Sequence, residues 1–400
     1  MRVLLVGFGT VGDVQPLAAL GHGLKAAGHQ VLLCGRPDIP RWIDLRDLDF
    51  LAVGAVPQIQ RRKAPWFVKL HRFAHAEAEP QFDALSHAAR GADLLVSAGS
   101  QLVAASVASA LGIRHRSVVY CPQMMPSRRH PPMTVAWRGA PPFIHRAGRR
   151  LFVEVYNRMV REPVAACHRK AGLVSLQDEF SANFLTNPLI ACDPELAPVP
   201  EDCPLQFDQV GYIHSQDGDN DLPAPLRDFL AAGPPPVYIG FGSTIPAPPA
   251  RLTRLIVSAV AAARCRAVVS SGWAGLGGVE HGDNLHFTGP VSHYRLFPEV
   301  AAVIHHGGAG TTATAARAGK PQVILPPRLY DQAYWRAQVV ERGIGVWAPK
   351  PRSLTVPKLA RVLVQVLGDR ETARRAAEFG KILVRRNAIR KALAVLTGSG

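Results

Sequence analysis

The chain of 400 residues is 48% hydrophobic and 19% charged, apolar enough for sizeable cores and too apolar for a disordered chain. At roughly 100–200 residues per domain, the length corresponds to about two or three domains. Arginine supplies 37 of the 46 basic residues behind the formal charge of +16, which fits a nucleic-acid partner, an anionic surface or simply an arginine-rich composition.

In chain order, Val3–Val6 is a continuous apolar run that reads as a buried strand, and Asp13 ends any likeness to a secretory leader. Gly7–Gly12 is a glycine-rich turn, Pro16–Ala27 a helix stopped by Gly28, and Val31–Cys34 the next strand. Two continuously apolar strands around a helix make the βαβ unit of a parallel sheet buried on both faces. Strand Leu94–Ser97, helix Leu102–Leu111 and strand Arg116–Tyr120 continue the alternation. Two segments break it, Pro57–Pro80 and Cys121–Arg150, and both read as long irregular binding loops. Their Trp66, Phe67, Met124 and Trp137, set among arginines, suit a large amphipathic ligand or else form a satellite core. After an acidic, turn-rich stretch from Asp217 to Pro225, the alternation restarts with strand Val237–Phe241, helix Arg251–Ala263 and strand Ala267–Ser270. Strand Ala302–His305, helix Thr311–Ala318, strand Gln322–Leu325 and helix Ala333–Arg342 follow. The expected fold is α/β, with two facing Rossmann-like doubly wound domains and a ligand cleft at the carboxyl ends of their strands. The boundaries are residues 1–213 for the first domain, 214–225 for the linker, 226–378 for the second domain and 379–400 for a terminal helix.

The turn Gly7-Phe8-Gly9-Thr10-Val11-Gly12 matches a dinucleotide fingerprint, but the second strand ends Cys34-Gly35-Arg36 without the carboxylate that would hold a ribose. Arg36 leaves only a 2′-phosphorylated cofactor open. Asp13, just before the proline-led helix, is either a capping carboxylate or a general base, with Gly9 and Thr10 near a phosphate. In the second half, His305-His306-Gly307-Gly308-Ala309-Gly310-Thr311-Thr312 joins a buried strand to a helix through small residues, which exposes backbone N–H groups to an anion. No GK[ST] follows, and tandem histidines on an extended chain face opposite ways, so one bonding a diphosphate is the better reading than a shared metal. Asp331-Gln332 at a helix start either binds adjacent sugar hydroxyls or caps the helix. The six cysteines form no CxxC pair, which argues against zinc and disulfides and for a reducing cytoplasm, and the run Leu102–Ile113 is too short to span a membrane.

Together, Gly9-Thr10-x-Gly12-Asp13-Val14-Gln15-Pro16, Gly240-Phe241-Gly242-Ser243, Ser271-Gly272-Trp273, Gly289-Pro290-Val291, the HHGGAGT run and Asp331-Gln332 resemble the GT-B-fold family 1 nucleotide-sugar glycosyltransferases. These include the glycopeptide-antibiotic, macrolide and sterol glucosyltransferases. The resemblance covers nearly the whole chain and implies an inverting hexosyltransferase of secondary metabolism. Such an enzyme moves a sugar from a UDP- or dTDP-sugar to a hydroxyl of a natural-product or lipophilic acceptor. It further implies Asp13 as general base, where many relatives carry His, and Trp273 and Val291 bordering the base. Thr10, Ser243, His305, Gly308, Gly310 and Thr311 would hold the donor phosphates, Asp331 and Gln332 the donor sugar, and Trp66, Phe67, Met124 and Trp137 the acceptor. The terminal helix would cross back onto the first domain. No cofactor or metal is expected, since the Asp217 and Asp219 pair lies in the linker.

From Leu94 to Val153 there is no acidic residue but eight arginines, which points to an anionic acceptor or to a peripheral contact with the anionic inner face of a membrane. Nucleic acid is excluded, because no groove-reading helix or stacking platform accompanies the charge. The expected state is a monomer or weak homodimer in the cytoplasm. Two further readings are a membrane-surface transferase acting on a lipid-linked or sterol acceptor and a non-catalytic partner of another transferase.

Overall fold

The apolar runs pair in parallel, as continuously buried strands must when helices cover both faces. A computed structural model describes residues 1–55, 65–132, 139–214, 221–242, 247–272, 275–326, 331–349 and 353–398. The chain divides into two units, one of Met1–Pro194, Pro198–Ser215 and Asn387–Gly400, the other of Glu195–Ala197 and Gln216–Arg386.

In unit 1, β1 (Arg2–Phe8), α1 (Val11–Ala26), β2 (Gln30–Gly35) and β3 (Asp49–Ala52) are followed by α2 (Trp66–Ala88), β4 (Leu94–Gly99), α3 (Ala104–Leu111) and β5 (Arg114–Val119). Then come α4 (Pro142–Lys170), α5 (Glu179–Phe184) and the short β6 (Leu189–Ile190) and β7 (Asp208–Gln209). The strand order is β3-β2-β1-β4-β5-β6-β7, parallel throughout. The chain runs outward from β1 to β3, then returns to start β4 on the other side of β1.

Unit 2 begins with α6 (Ala224–Ala231), β8 (Val237–Gly240), α7 (Pro249–Ala262), β9 (Ala267–Ser270), β10 (Leu285–Thr288) and α8 (His293–Leu296). It continues with β11 (Ala302–His305), α9 (Ala309–Arg317), β12 (Gln322–Ile324), α10 (Asp331–Glu341), β13 (Gly345–Val346), α11 (Val356–Gly368) and α12 (Arg370–Val384). Its parallel order, β10-β9-β8-β11-β12-β13, reverses between β8 and β11 as the first sheet does between β1 and β4.

The last helix, α13 (Ala388–Thr397), is capped by the Asn387 side chain and belongs to unit 1. Its Ala388, Ala392 and Leu396 join the core of Leu17, Leu20 and Leu24 from α1. Gly23 makes the approach possible, because a Cβ there would lie 2.6 Å from Ile389 Cγ2.

Three expectations change. Residues 379–384, grouped by sequence with the terminal helix, complete α12 in unit 2. Of the two segments expected as irregular loops, Pro57–Pro80 runs from residue 66 onward inside the 23-residue α2, which continues through Pro80, whereas Cys121–Arg150 enters a long helix only at its end, where the 29-residue α4 begins at Pro142. Helix α1 starts five residues early, so Asp13 sits inside its first turn and Pro16 is internal. The carbonyl that Pro16 leaves unbonded, four residues back, belongs to solvent-exposed Gly12, so water can serve it.

Leu396 is 1% exposed. Leu396→Ala is expected to cost unit 1 about 2–5 kcal/mol through the cavity it leaves, measurable as a lowered urea midpoint.

Candidate functional site

Where winding direction reverses in a parallel sheet, the helices leaving adjacent strands diverge to opposite faces and open a crevice at the carboxyl ends. In unit 1 that point lies beyond β1 and β4. Gly9, at φ +134°, and Gly99, at φ +74°, line it, and a Cβ at either would strike Asp13. Asp13 Oδ2 accepts from the Thr10 N–H at 2.6 Å and from Thr10 Oγ1 at 2.9 Å, so the carboxylate caps its own helix. Its Oδ1 makes no hydrogen bond among the described residues. Burial raises the pKa of Asp13 above the ordinary carboxylate value, against the opposing pull of the Thr10 bonds and the Arg36 charge. Arg36, at the end of β2, is itself held by Asp38 through bonds of 2.9 and 2.7 Å. The capping bonds thus occupy only one of the two carboxylate oxygens. Thr10, by contrast, commits both its N–H and its hydroxyl to Asp13, which leaves neither for a phosphate.

In unit 2 the reversal places the turn after β8 beside the turn after β11. His305, the last residue of β11, is fully buried. Its Nδ1 accepts from the Gly307 N–H at 3.1 Å, and its Nε2 donates to Gln322 Oε1 at 3.0 Å. Burial holds its pKa down to about 3. The fully buried ring has both nitrogens engaged within the protein, and it braces the turn that follows β11. Gln322 extends the brace, its amide donating to the Thr312 carbonyl at 3.2 Å, while Thr312 Oγ1 donates to the Gly308 carbonyl at 2.8 Å.

His306, the next residue, is half-buried. Its buried Nδ1 has no hydrogen-bond partner among the described residues, and its ring lies between Gly242 and Gly308, where added Cβ atoms would come within 3.2 Å of Cε1 and 2.7 Å of Nε2. Burial pushes its pKa down to about 4. Beside it, Gly308 caps α9, whose first turn carries no acidic residue. The N–H groups of Ala309, Gly310 and Thr311 have no acceptor within the helix, and with the helix terminus they form an anion cradle. Gly307, at φ +96°, lets the start of α10 close in, since a Cβ there would lie 3.0 Å from the Gln332 carbonyl oxygen. Asp331 and Gln332 thus stand half-buried at the edge of the cradle. Val291 is half-buried against the Leu226, Tyr238 and Phe297 core. Ser243, Trp273 and Trp137 lie outside the described residues.

Trp66 packs between helices, its ring 5.4 Å from Phe152 and 6.1 Å from Phe67. Phe67 is 40% exposed, and half-buried Met124 receives a bond from Arg149 at its carbonyl. The acid-free stretch is less bare than its sequence window suggests. Asp208 pairs with Arg116 at 3.1 Å, Asp202 accepts from Ser127 and the Arg128 N–H, and Glu201 lies 3.8 Å from Arg129. These acids all come from beyond the window. Among the described residues, no group of three or more His, Cys, Asp or Glu side chains could hold a metal ion, and no helix is long and apolar enough to cross a membrane.

Comparison with known proteins finds relatives over nearly the whole chain. Residues 3–111 match the glycosyltransferase family 28 N-terminal domain, and residues 278–384 match the erythromycin biosynthesis protein CIII-like C-terminal domain. The chain is 35% identical to a vancomycin aglycone glucosyltransferase of Amycolatopsis orientalis, over 96% of this chain and 94% of that one. It is 31% identical to a dTDP-epi-vancosaminyltransferase of the same organism, over 94% and 92%. The solved structure of glycosyltransferase VinC in complex with dTDP shares the fold, with a TM-score of 0.73, 20% identity, and coverage of 100% of this chain and 99% of that one.

The depressed pKa of His305 makes unit 2 sensitive to acid. An unfolded histidine takes up a proton below about 6.5 while the folded one does not until about 3, so the stability this group contributes is lost as pH falls between those values. His305→Asn is expected to melt lower than the parent at pH 7.5 and to show a shallower fall of Tm from pH 6.5 to 4.5, followed by calorimetry.

Proposed function

The chain belongs to the GT-B-fold nucleotide-sugar glycosyltransferases, and from that premise we propose that it is an inverting enzyme with Asp13 as its general base. The donor is a UDP- or dTDP-sugar, and the acceptor is a hydroxyl of a natural-product aglycone, as the names of its relatives suggest. The observation that carries the reading is the division of labour on Asp13, with Oδ2 fixed by Thr10 and Oδ1 left open. As the acceptor oxygen attacks the anomeric carbon, its proton passes to Oδ1. The bond from that carbon to the diphosphate breaks on the opposite side, and the diphosphate leaves with the electron pair. Desolvation makes the carboxylate a stronger base than one in water, as this proton transfer requires.

The donor diphosphate is assigned to the N–H groups at Gly310 and Thr311, the Gly308 cap, His306 in place of His305, and Ser243. Charge growing on the leaving group then meets the α9 terminus and fixed dipoles. On this reading no metal is needed. Asp331 and Gln332 hold the donor sugar, Trp273 and Val291 border the nucleobase, and Trp66, Phe67, Met124 and Trp137 contribute to the acceptor side.

The test screens glycopeptide, macrolide and sterol aglycones against UDP- and dTDP-glucose, then repeats the best pair with Asp13→Asn. Nucleotide binding is expected to persist while transfer falls by about 100-fold or more, a loss in the range for a general base. Unchanged turnover would remove Asp13 from the chemistry. EDTA is expected to leave the rate unaltered, and a metal-restorable loss would overturn the metal-free assignment.

A further inference from the structure

Tyr120 follows the last residue of β5, and its hydroxyl donates to the Asp13 carbonyl oxygen at 2.7 Å. That carbonyl belongs to the third residue of α1 and, inside a helix, already accepts from the N–H four residues on. The tyrosine therefore adds a second bond, made to the main chain of the residue whose side chain is assigned the proton. Burial and the neighbouring Asp13 raise the phenol pKa well above its usual value, so it stays a neutral donor. The residues that follow, Cys121, Pro122 and Gln123, are buried and open the segment assigned to the acceptor. One side chain thus links that segment to the first turn of α1.

Among the described residues, two other titratable groups act on Asp13 or feel its charge. Arg36 approaches from the end of β2 with its charge answered by Asp38, and Tyr212, also held neutral by burial, approaches from beyond β7. With little net charge nearby, the basicity of Asp13 depends chiefly on how dry its surroundings stay.

We propose that Tyr120 is a positioning residue for sugar transfer, its hydroxyl fixing the first turn of α1 against the acceptor segment so that Asp13 Oδ1 is both aimed and shielded from water. This rests on the assignment of Asp13 as the base. Without the hydroxyl the turn loosens, the carboxylate hydrates and becomes less basic, and its aim is lost.

Tyr120→Phe keeps the ring and removes one hydrogen bond. The experiment compares it with the parent and with Asp13→Asn in transfer to the acceptor found by the screen and in donor hydrolysis without acceptor. It also follows kcat/KM against pH, nucleotide binding and Tm. In Tyr120→Phe, kcat is expected to fall at least about tenfold, since small misplacements at a reacting centre cost that much or more. The acidic limb of the profile should move to lower pH, while donor KM and nucleotide binding stay within about twofold. A parental kcat with an unmoved limb, alongside an inactive Asp13→Asn, would overturn the role of Tyr120 alone. So would a kcat that drops only in step with Tm while the limb stays in place. Full activity in Asp13→Asn would instead overturn the base assignment beneath both.

Discussion

A parallel sheet with helices on both faces has no free surface for chemistry, and the structure follows from that constraint. What remains open is the edge where the strands end, and there only the gap between helices that turn opposite ways. Both sheets reverse once, beside β1 and beside β8. Asp13 follows one reversal and the His306 cradle follows the other. The turns at these points need residues without side chains, because two strand ends and a helix start converge. Gly9 and Gly99 make room for a carboxylate, while Gly242, Gly307 and Gly308 make room for an imidazole and the end of α10.

The two halves treat charge differently. At Asp13 a half-buried carboxylate is held by two hydrogen bonds from Thr10, and burial raises its pKa against their pull and that of the Arg36 charge. The cradle relies on backbone dipoles and an imidazole that burial keeps neutral. Neutral donors set in place by folding need little rearrangement when an anion arrives. His305 illustrates the cost of that order. It lies within the motif, yet its contribution is to hold Gly307 and Gln322, and through Gln322 the α9 turn, in position.

The fold was legible because its strands are continuous apolar runs ended by glycine turns, a pattern with few alternatives. Helix starts were less so. Pro16 drew the expected start of α1 forward, since the sequence does not show that the carbonyl it orphans would face water. Pro80, which closed the first segment expected as a loop, instead lies inside the long helix α2. In the site, Asp13 and the glycine cradle stood out by motif, whereas the bond of His305 to Gln322 depends on a strand seventeen residues on and could not be read locally. Tyr120 carried no local signal, because its partner lies 107 positions away in the chain. Partners of the acid-free stretch were hidden for the same reason, Glu201, Asp202 and Asp208 reaching Arg129, the Arg128 N–H and Arg116 from beyond it.

The placement of α13 in unit 1 also bears on how the protein is made. A ribosome delivers residues 1–215 first, but their core lacks Ala388, Ala392 and Leu396 until the whole of unit 2 has emerged. The first unit to appear is therefore the last that can finish, waiting with the α1 stripe around Gly23 uncovered. Unit 2, apart from the short Glu195–Ala197 piece, is contiguous and can close on itself in the meantime. Birth order and completion order are thus inverted, and a nascent chain stalled before residue 387 would hold a closed unit 2 and an unfinished unit 1.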